Sequence, residues 1–388
     1  MSKEERFLLS RRRLITLGGL AAAGVVTAPL AWKINKLIGE NFEPVGNLEA
    51  LLDFTVLPPK IPTPPELRGI IMNSPFLWQH TDIPDAIDRA VENARAFESK
   101  TIRVFINDTY EPELSHFEPW VLENTKVLTE KFPLIVDLFD AYPLLHSNKP
   151  NIIYGSWPLT SPYLVKTKGR SLIDQQLAFF VDPDLVEIFL NRARSIVDSL
   201  KSSRVVAWSV ANELIPPVGT PEEKREILTT WYEKVLREIR RLDPNRPIVS
   251  GVADPTLLDE QRLKTAGLTA NTIHLYPGGP DNWIRILASH HQCLPWIIQE
   301  IGFPTKAFGI QLGSLRDELL ASFLVDRLLR FIKVDEKNRT VKPESESLGI
   351  WRLTFEGDWH DDGFSVSPQS LPETSKILKT WQSMVLKN

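Results

Sequence analysis

Two glutamates come directly after apolar, strand-like runs, and they are the residues in this chain best suited to catalysis. Glu213 ends the segment Trp-Ser-Val-Ala-Asn-Glu (208–213), and Glu300 lies within Trp-Ile-Ile-Gln-Glu-Ile-Gly (296–302). A carboxylate at the end of a buried strand is costly unless it has partners or a function. Two carboxyl groups that face each other across a sugar can supply a proton donor and a second carboxylate, which is the chemistry that cleaves a glycosidic bond.

The rest of the chain must bring these two residues together, and its apolar pattern indicates how. From Arg68 onward, short apolar runs alternate with longer amphipathic stretches, which is typical of βα units around a parallel sheet. The predicted strands lie near 68–73, 101–106, 133–139, 204–210, 247–252, 270–275, 295–300 and 347–353. The predicted helices lie near 83–98, 117–131, 183–200, 221–241, 254–266, 281–290, 314–334 and 370–386. These eight units predict an α/β fold, a single (β/α)8 barrel spanning 68–388.

In such a barrel, Glu213 ends the fourth strand and Glu300 ends the seventh. Active sites of (β/α)8 barrels lie at the carboxyl ends of the strands, so both residues are predicted to meet at one mouth. The long link between the third strand and its helix, about 140–182, is expected on the same face. A doubly wound sheet is the alternative architecture, but it would carry a Gly-rich turn after its first strand, and Met72-Asn73-Ser74-Pro75 is not one.

Composition excludes several other classes of protein. The formal net charge is −4, whereas a general nucleic-acid binder normally shows a basic stripe. Cys293 is the only cysteine, so neither an intrachain disulfide nor a thiolate metal cluster can form. The chain has no His-Glu-x-x-His zinc motif and no Gly-x-Ser-x-Gly esterase motif. We therefore expect no metal and no organic cofactor.

The amino-terminal segment has the layout of an export signal. Ser-Arg-Arg-Arg (10–13) precedes an apolar run from Leu14 to Trp32, and the paired arginines resemble a twin-arginine signal. An uncleaved membrane anchor is the alternative, since about 19 apolar residues can just span a bilayer. We assign residues 1–40 to this signal or anchor and expect export across the cytoplasmic membrane, to a secreted, periplasmic or cell-surface location.

A proline-rich connector follows at 41–67. Its prolines are dense enough to oppose both helix and sheet, and they predict an extended spacer. They are Pro58, Pro59, Pro62, Pro64 and Pro65.

With these motifs in hand, the region from 68 to about 385 resembles family five of the glycoside hydrolases, in clan A. Asn212-Glu213 and Glu300-Ile301-Gly302 are similar to that family's acid/base and nucleophile motifs. The resemblance implies that Glu213 is the general acid/base and Glu300 the nucleophile. One departure is Phe139, which stands where the family often has a histidine at the end of the third strand.

The resemblance also assigns supporting residues. It implies that Arg103 and Tyr276 hydrogen-bond the nucleophile, that Asn212 binds the sugar 2-hydroxyl, and that His274 orients the acid/base or binds a hydroxyl. Trp351 matches the family's sugar platform, and Trp78, Trp157 and Trp283 are candidates for outer subsites in loops. Each of these residues also has a purely structural alternative, such as an internal ion pair for Arg103 or core packing for the tryptophans.

The implied reaction is a double displacement with retention, which predicts the two carboxyl groups about 5–5.5 Å apart. Glu213 would begin protonated with a raised pKa, and Glu300 would begin ionised. Arg-Val-Phe-Ile-Asn-Asp (103–108) and Phe-Phe-Val-Asp-Pro-Asp (179–184) resemble the β-mannanase branch of the family, with β-glucan as the alternative substrate. A non-catalytic carbohydrate-binding barrel at the cell surface is the rival hypothesis, and in either case the expected partner is a carbohydrate.

Overall fold

The structure is a computed structural model. It describes residues 48–74, 83–106, 114–140, 169–276, 293–302, 306–307, 310–311, 315–350 and 371–386. The predicted signal or anchor at 1–40, the predicted helix at 281–290 and most of the long link after the third strand lie outside these ranges. Among the described helices, none is both long enough and apolar enough to cross a bilayer.

Short strands and longer helices alternate along the described chain. The strands are β1 (Thr55–Val56), β2 (Gly69–Asn73), β3 (Thr101–Phe105), β4 (Leu134–Asp137), β5 (Val205–Ser209), β6 (Ile248–Val249), β7 (Asn271–Leu275), β8 (Trp296–Ile301), β9 (Lys306–Ala307), β10 (Ile310–Gln311), β11 (Ile332–Asp335), β12 (Thr340–Pro343) and β13 (Ser347–Ile350). The helices are α1 (Ile83–Ala96), α2 (Leu114–Lys131), α3 (Leu172–Val181), α4 (Pro183–Leu200), α5 (Pro221–Leu242), α6 (Glu260–Ala266), α7 (Leu315–Arg330) and α8 (Pro372–Val385).

Eight of these strands form one parallel sheet that closes on itself. Its order is β6-β5-β4-β3-β2-β13-β8-β7, and a parallel bridge between Val249 and Ala270 joins the two ends. All eight strands coincide with predicted ones. The predicted (β/α)8 barrel is therefore confirmed, and with it the placement of Glu213 and Glu300 at the carboxyl ends of its fourth and seventh strands.

The barrel interior changes from apolar to polar toward the carboxyl ends of the strands. Alternate residues of a strand share a face, so a residue two positions further along points into the same interior. A buried apolar layer is formed by Ile71, Ile135, Ala207, Val249 and Ile297. Two positions after four of these come Asn73, Asp137, Ser209 and Gln299, all of them buried. The sequence thus builds a polar layer directly beneath the mouth of the barrel.

Packing outside the barrel follows the amphipathic pattern of the helices. α4 begins at Pro183, where the Asp182 carboxylate accepts a hydrogen bond from the Asp184 backbone N–H at 3.1 Å. Its buried stripe includes Phe189, whose ring meets the ring of Trp231 on α5 with centroids 4.8 Å apart. Aromatic packing of this kind fixes the helices against the outside of the sheet.

Among the predicted segments, the end of one helix and the proline-rich connector differ from the structure. The predicted helix at 314–334 ends at Arg330, and the chain turns into the strand β11, which pairs with β12. The proline-rich segment was expected to lack helix and sheet, yet its described part contains two 3-10 helices, Leu48–Leu51 and Pro65–Leu67, and the strand β1.

The physical reason for the second difference is that this segment buries apolar side chains against the barrel. Leu48, Leu51 and Val56 belong to the main hydrophobic core, and β1 pairs in parallel with β12. Proline is tolerated at the first position of a helical turn, where Pro65 lies. The buried Glu346 carboxylate also accepts a hydrogen bond from the Thr63 N–H at 2.9 Å. The domain boundary at 67/68 stays a prediction.

Candidate active site

Glu300 reaches the interior of the barrel through an irregularity in β8. Against β7, Ile273 pairs with Ile298 but His274 pairs with Glu300; against β13, the register shifts in the same place. One extra residue on β8, a β-bulge, accounts for both shifts. As a result two consecutive side chains, Gln299 and Glu300, make contacts inside the barrel.

Two neighbours hold this bulge in place. The Asn73 side-chain N–H donates to the Gln299 carbonyl at 3.0 Å. On β13, a Cβ atom added to Gly349 would lie 1.7 Å from the same carbonyl oxygen, which no real side chain could accept. A glycine at 349 is therefore a requirement of the bulge, and through the bulge it is a requirement for the position of Glu300.

The Glu300 carboxylate is 1% exposed and has a partner on each oxygen. Arg103 Nη1 donates to Oε1 at 2.5 Å, and the Tyr276 hydroxyl donates to Oε2 at 2.6 Å. Burial raises the pKa of Glu300 above its ordinary value, while His274, Arg103 and the Tyr276 hydroxyl oppose the rise by favouring the ionised form. The predicted contacts of Arg103 and Tyr276 with Glu300 are thus present in the structure.

Arg103 is fully buried, and its guanidinium organises the polar layer. Besides Glu300, it donates to Asp137 Oδ2 from Nε at 2.5 Å, to Asn73 Oδ1 from Nη1 at 3.1 Å and to Asn212 Oδ1 from Nη2 at 2.9 Å. Nη2 also forms an ion pair with Asp137. These five contacts match the five N–H donors of a guanidinium. Burial lowers the pKa of Arg103, but Asp137 and Glu300 more than offset this, so the group is a permanent cation.

Glu213 follows β5 and lies on a strained piece of backbone. Its φ is 52°, in the left-handed region that few residues other than glycine adopt, and its N–H donates to the Gly251 carbonyl at 2.9 Å. Gly251 itself has a φ of 77°, and a Cβ there would lie 2.0 Å from the Ala211 carbonyl oxygen. The Glu213 side chain is 15% exposed, so it is the more accessible of the two carboxyl groups.

His274 lies between the two carboxyl groups. Its Nδ1 is 2.7 Å from Glu213 Oε1 and 3.2 Å from Glu300 Oε2, and its Nε2 is 3.2 Å from Gln299 Oε1. One oxygen of each glutamate and one ring nitrogen all lie within 4.8 Å of one another. Burial lowers the pKa of His274. Glu300 and Glu213 raise it by more than burial lowers it, so the pKa lies above its ordinary value.

Three such donor atoms are also a minimal set for a metal ion. However, the Arg103 guanidinium is 2.5 Å from Glu300 and the Tyr276 hydroxyl donates to its other oxygen, so both carboxylate oxygens are already engaged by donors. A fixed cation at this distance would repel a metal ion. The arrangement suits proton transfer and nucleophilic attack better than metal binding.

Asn212 and the end of β4 complete the described part of the mouth. While Asn212 Oδ1 accepts from Arg103, its Nδ2 donates to Asp140 Oδ1 at 3.2 Å. Phe139, which stands where the resembled family often has a histidine, points away from the site, and its ring stacks on Phe179 with centroids 5.4 Å apart. Because Phe139 packs with the outer helices, Asp140 is the residue from this strand end that reaches the mouth.

The structure therefore brings together six of the predicted site residues, namely Arg103, Asn212, Glu213, His274, Tyr276 and Glu300. The four predicted tryptophans, Trp78, Trp157, Trp283 and Trp351, lie outside the described residues, and their roles stay predictions.

Sequence reasoning missed five polar residues of the same network, namely Asn73, Asp137, Asp140, Ser209 and Gln299. A signal was available for one of them, since Asp137 interrupts the apolar run Leu-Ile-Val-Asp-Leu (134–138). An aspartate inside a buried strand needs a partner, and Arg103 is that partner.

A closed barrel with paired carboxyl groups at the carboxyl ends of its strands is thus the class of structure that the geometry defines. No protein-family model matches the sequence, and no curated protein matches it. Solved structures do resemble it. An endo-1,4-beta-D-mannanase from Thermotoga petrophila RKU-1 aligns with a TM-score of 0.54 and 16% identity, over 81% of this chain and 99% of that one.

Two further solved structures are similar to the same degree. An endo-1,4-beta-mannanase from Rhizomucor miehei aligns with a TM-score of 0.53 and 11% identity, over 85% of this chain and 99% of that one. The endo-glycoceramidase II from Rhodococcus sp. aligns with a TM-score of 0.52 and 15% identity, over 84% and 81% of the two chains. At these identities the likeness establishes the shared barrel fold.

Proposed function

We propose that this protein is a retaining glycoside hydrolase that cleaves β-linked glycosidic bonds, with Glu300 as nucleophile and Glu213 as general acid/base. The observation that carries the proposal is the placement of the two carboxyl groups, one oxygen of each lying within 4.8 Å of the other. Retaining pairs are about 5–5.5 Å apart, whereas inverting pairs leave about 6.5–9.5 Å for a water molecule. The short gap therefore supports direct attack by a carboxylate.

The environments of the two groups divide the roles between them. Glu300 accepts hydrogen bonds from Arg103 and Tyr276, and such donors favour the ionised form that a nucleophile needs. Glu213 contacts the imidazole of His274 and is partly exposed, so it can exchange a proton with the leaving group and with water. The same assignment follows from the motif resemblance.

In the first step, a Glu300 oxygen attacks the anomeric carbon and the glycosidic C–O bond breaks, while the Glu213 proton moves to the leaving oxygen. In the second step, ionised Glu213 takes a proton from water, and the water oxygen attacks the same carbon. The bond to Glu300 then breaks, and the sugar leaves with its original configuration. The two steps together consume one water molecule and return both carboxyl groups to their starting protonation states.

For the substrate class, we propose a β-mannan or β-glucan type polysaccharide or oligosaccharide. The support is the local likeness of 103–108 and 179–184 to β-mannanases, together with the two endo-mannanases among similar structures. A panel of β-mannan, β-glucan, aryl β-glycosides and a glycosylceramide tests this. Release of reducing sugar from mannan or glucan supports the proposal, and turnover of the glycosylceramide alone contradicts it.

Variants of the two glutamates test the catalytic assignment. Glu213→Gln should lower kcat/KM by about 10²–10⁴-fold on substrates whose leaving group needs a proton and change it little on activated aryl glycosides, while kcat should fall on both because the second step loses its base. Glu300→Gln should abolish turnover of both substrate types. Glu346→Gln is the matched control, because Glu346 is a buried glutamate at the opposite end of the barrel and should keep turnover. Sugar binding without turnover in the parent protein would instead support the non-catalytic carbohydrate-binding alternative.

We also propose that the protein is exported through its amino-terminal segment, as the paired arginines and the apolar run indicate. Replacement of Arg11 and Arg12 by lysine should retain the protein in the cytoplasm. Fractionation of the producing cells measures this, and unchanged export of the variant would contradict a twin-arginine route.

A further inference from the structure

Gln299 is placed like a component of the site, yet the proposed reaction does not use it. It is 1% exposed and sits at the bulge of β8. Its Oε1 is 3.2 Å from His274 Nε2, and its Nε2 donates to Ser209 Oγ at 3.2 Å. The two ends of an amide are distinguished by what they contact, so the network around Gln299 decides which end faces His274.

That network begins at Asp137. Two N–H groups of Arg103 contact Asp137 Oδ2, so this carboxylate is an acceptor. Burial raises the pKa of Asp137, while the Arg103 cation and the hydroxyl of Ser209, its register partner on β5, oppose the rise by favouring the ionised carboxylate. The Ser209 oxygen accepts from the Gln299 side-chain N–H at 3.2 Å, which leaves the hydroxyl proton of Ser209 to point toward the Asp137 carboxylate beside it.

The consequence for His274 follows from this direction. Because the Gln299 amide donates to Ser209, its carbonyl oxygen faces His274 Nε2. Two acceptors cannot pair, so Nε2 must carry a proton. In the neutral imidazole only one nitrogen carries a proton, and the lone pair is then on Nδ1. Nδ1 is the atom that lies 2.7 Å from Glu213.

We propose that Gln299 is a positioning residue that holds His274 in the Nε2–H tautomer and so keeps the acid proton on Glu213. The proposal rests on the proposed function. With a lone pair at Nδ1, neutral His274 can accept a hydrogen bond from protonated Glu213 but offers nothing to ionised Glu213. A hydrogen bond to the neutral form of an acid raises its pKa. The hydrogen bond from Glu213 to His274 therefore raises the pKa at which Glu213 loses its proton to solvent.

The charges around His274 favour a proton on Nδ1, so Gln299 is the group that opposes them from Nε2. Glu213 and Glu300 face Nδ1, while Arg103 and Asp137 act at longer range from the polar layer. Without Gln299, the neutral ring could move its proton to Nδ1 and donate to ionised Glu213. That alternative stabilises the deprotonated acid, so the proton would be lost at lower pH.

Gln299→Met tests the proposal, because methionine has a similar volume and no hydrogen-bonding amide. We expect the basic limb of the kcat/KM profile to fall by about one pH unit, the size of one hydrogen bond to a charged group. Ser209→Ala should shift the limb in the same direction by less, since the amide of Gln299 is then free to rotate. Gln299→Glu keeps an acceptor at Nε2 and should not lower the limb.

A second measurement does not depend on activity. In protein with ¹⁵N-labelled histidine, the His274 resonances, assigned by the His274→Ala variant, should show a protonated Nε2 and a titrating Nδ1. Gln299→Met should reverse the tautomer of the neutral ring. Parent protein with neutral His274 protonated at Nδ1 overturns the proposal, as does a Gln299→Met variant with an unchanged tautomer and basic limb. A parent protein that shows the expected tautomer but hydrolyses no glycoside would instead refute the proposed function alone.

Discussion

Arg103→Lys is the substitution whose consequences the structure defines most sharply. The charge is kept, but five directed N–H donors become three on a flexible chain. The four acceptors of Arg103, namely Asn73, Asp137, Asn212 and Glu300, cannot all be satisfied by one ammonium group. We expect Glu300 Oε1 to lose its donor, because Asp137 is the other carboxylate that competes for the lysine.

The magnitude follows from the burial of the group. Lost hydrogen bonds between buried charged groups cost about 1.5–3 kcal/mol each, so the free energy of unfolding should fall by roughly that amount or more. Loss of the hydrogen bond from Arg103 also changes the pKa of Glu300. Arg103 lowers that pKa, so its removal raises it, and about 1.5–3 kcal/mol corresponds to roughly one to two pKa units.

The sign of the pH effect is then determined. As the proposed nucleophile, Glu300 must be ionised to attack, and a higher pKa leaves less of it ionised at a given pH. The acid limb of the kcat/KM profile should move to higher pH by about one to two units. The assay is the pH dependence of kcat/KM on an activated aryl β-glycoside, combined with urea unfolding of both proteins.

Arg192→Lys is the matched control. Arg192 donates to the Leu138 and Ile106 carbonyls at the ends of neighbouring strands, and neither contact involves a catalytic carboxyl group. This variant should lose stability and leave the acid limb in place. If Arg103→Lys likewise loses only stability, Arg103 is a structural ion-pair partner and the reasoning above is refuted.

Three further predictions follow from individual contacts. Tyr276→Phe removes the donor to Glu300 Oε2, and kcat/KM should fall about 10- to 100-fold with little change in the urea midpoint; an unchanged kcat/KM would exclude a role for the hydroxyl. Gly349→Ala places a methyl group against the Gln299 carbonyl, so it should cost about 1–3 kcal/mol and most of the activity. Gly169→Ala has no atom within 4 Å of the new methyl group, so it should keep activity although its φ of 92° makes alanine there cost stability; equal activities of the two variants would contradict the role of the bulge. Contacts with Arg241 and Arg194 lower the pKa of Glu238 to about 2, so the stabilisation is present above the unfolded pKa of about 4.5 and is lost as pH falls toward 2. Glu238→Gln should therefore be less stable by about 1 kcal/mol at pH 7, and urea unfolding should show this difference vanish in acid rather than persist.

The barrel could be predicted because each of its strands is a short apolar run bounded by an amphipathic stretch. The meeting of Glu213 and Glu300 at one mouth could be predicted because Asn212-Glu213 and Glu300-Ile301-Gly302 come at the ends of such runs. Both inferences use only local sequence, since the carboxyl ends of parallel strands necessarily meet at one mouth. The position of Asp140 could not be derived in the same way, because it depends on Phe139 packing with the outer helices.

The polar layer below the site depends on pairings between strands that are distant in sequence. Glu300 enters the barrel beside Gln299 only because β8 has one more residue than its neighbours at that point. The register of one strand against another is set by packing across the whole sheet, and no local pattern in 296–302 reports it. The prediction for the proline-rich segment was wrong for a related reason. The surface that Leu48 and Leu51 cover is built from the other end of the chain.

Trapping of the covalent intermediate tests the central claim most directly. A 2-fluoro glycoside of the accepted sugar should label the protein once and stoichiometrically, and peptide mapping should place the sugar on Glu300, with no labelling of Glu300→Gln. Turnover that inverts the anomeric configuration, or a label on any other side chain, would contradict the account.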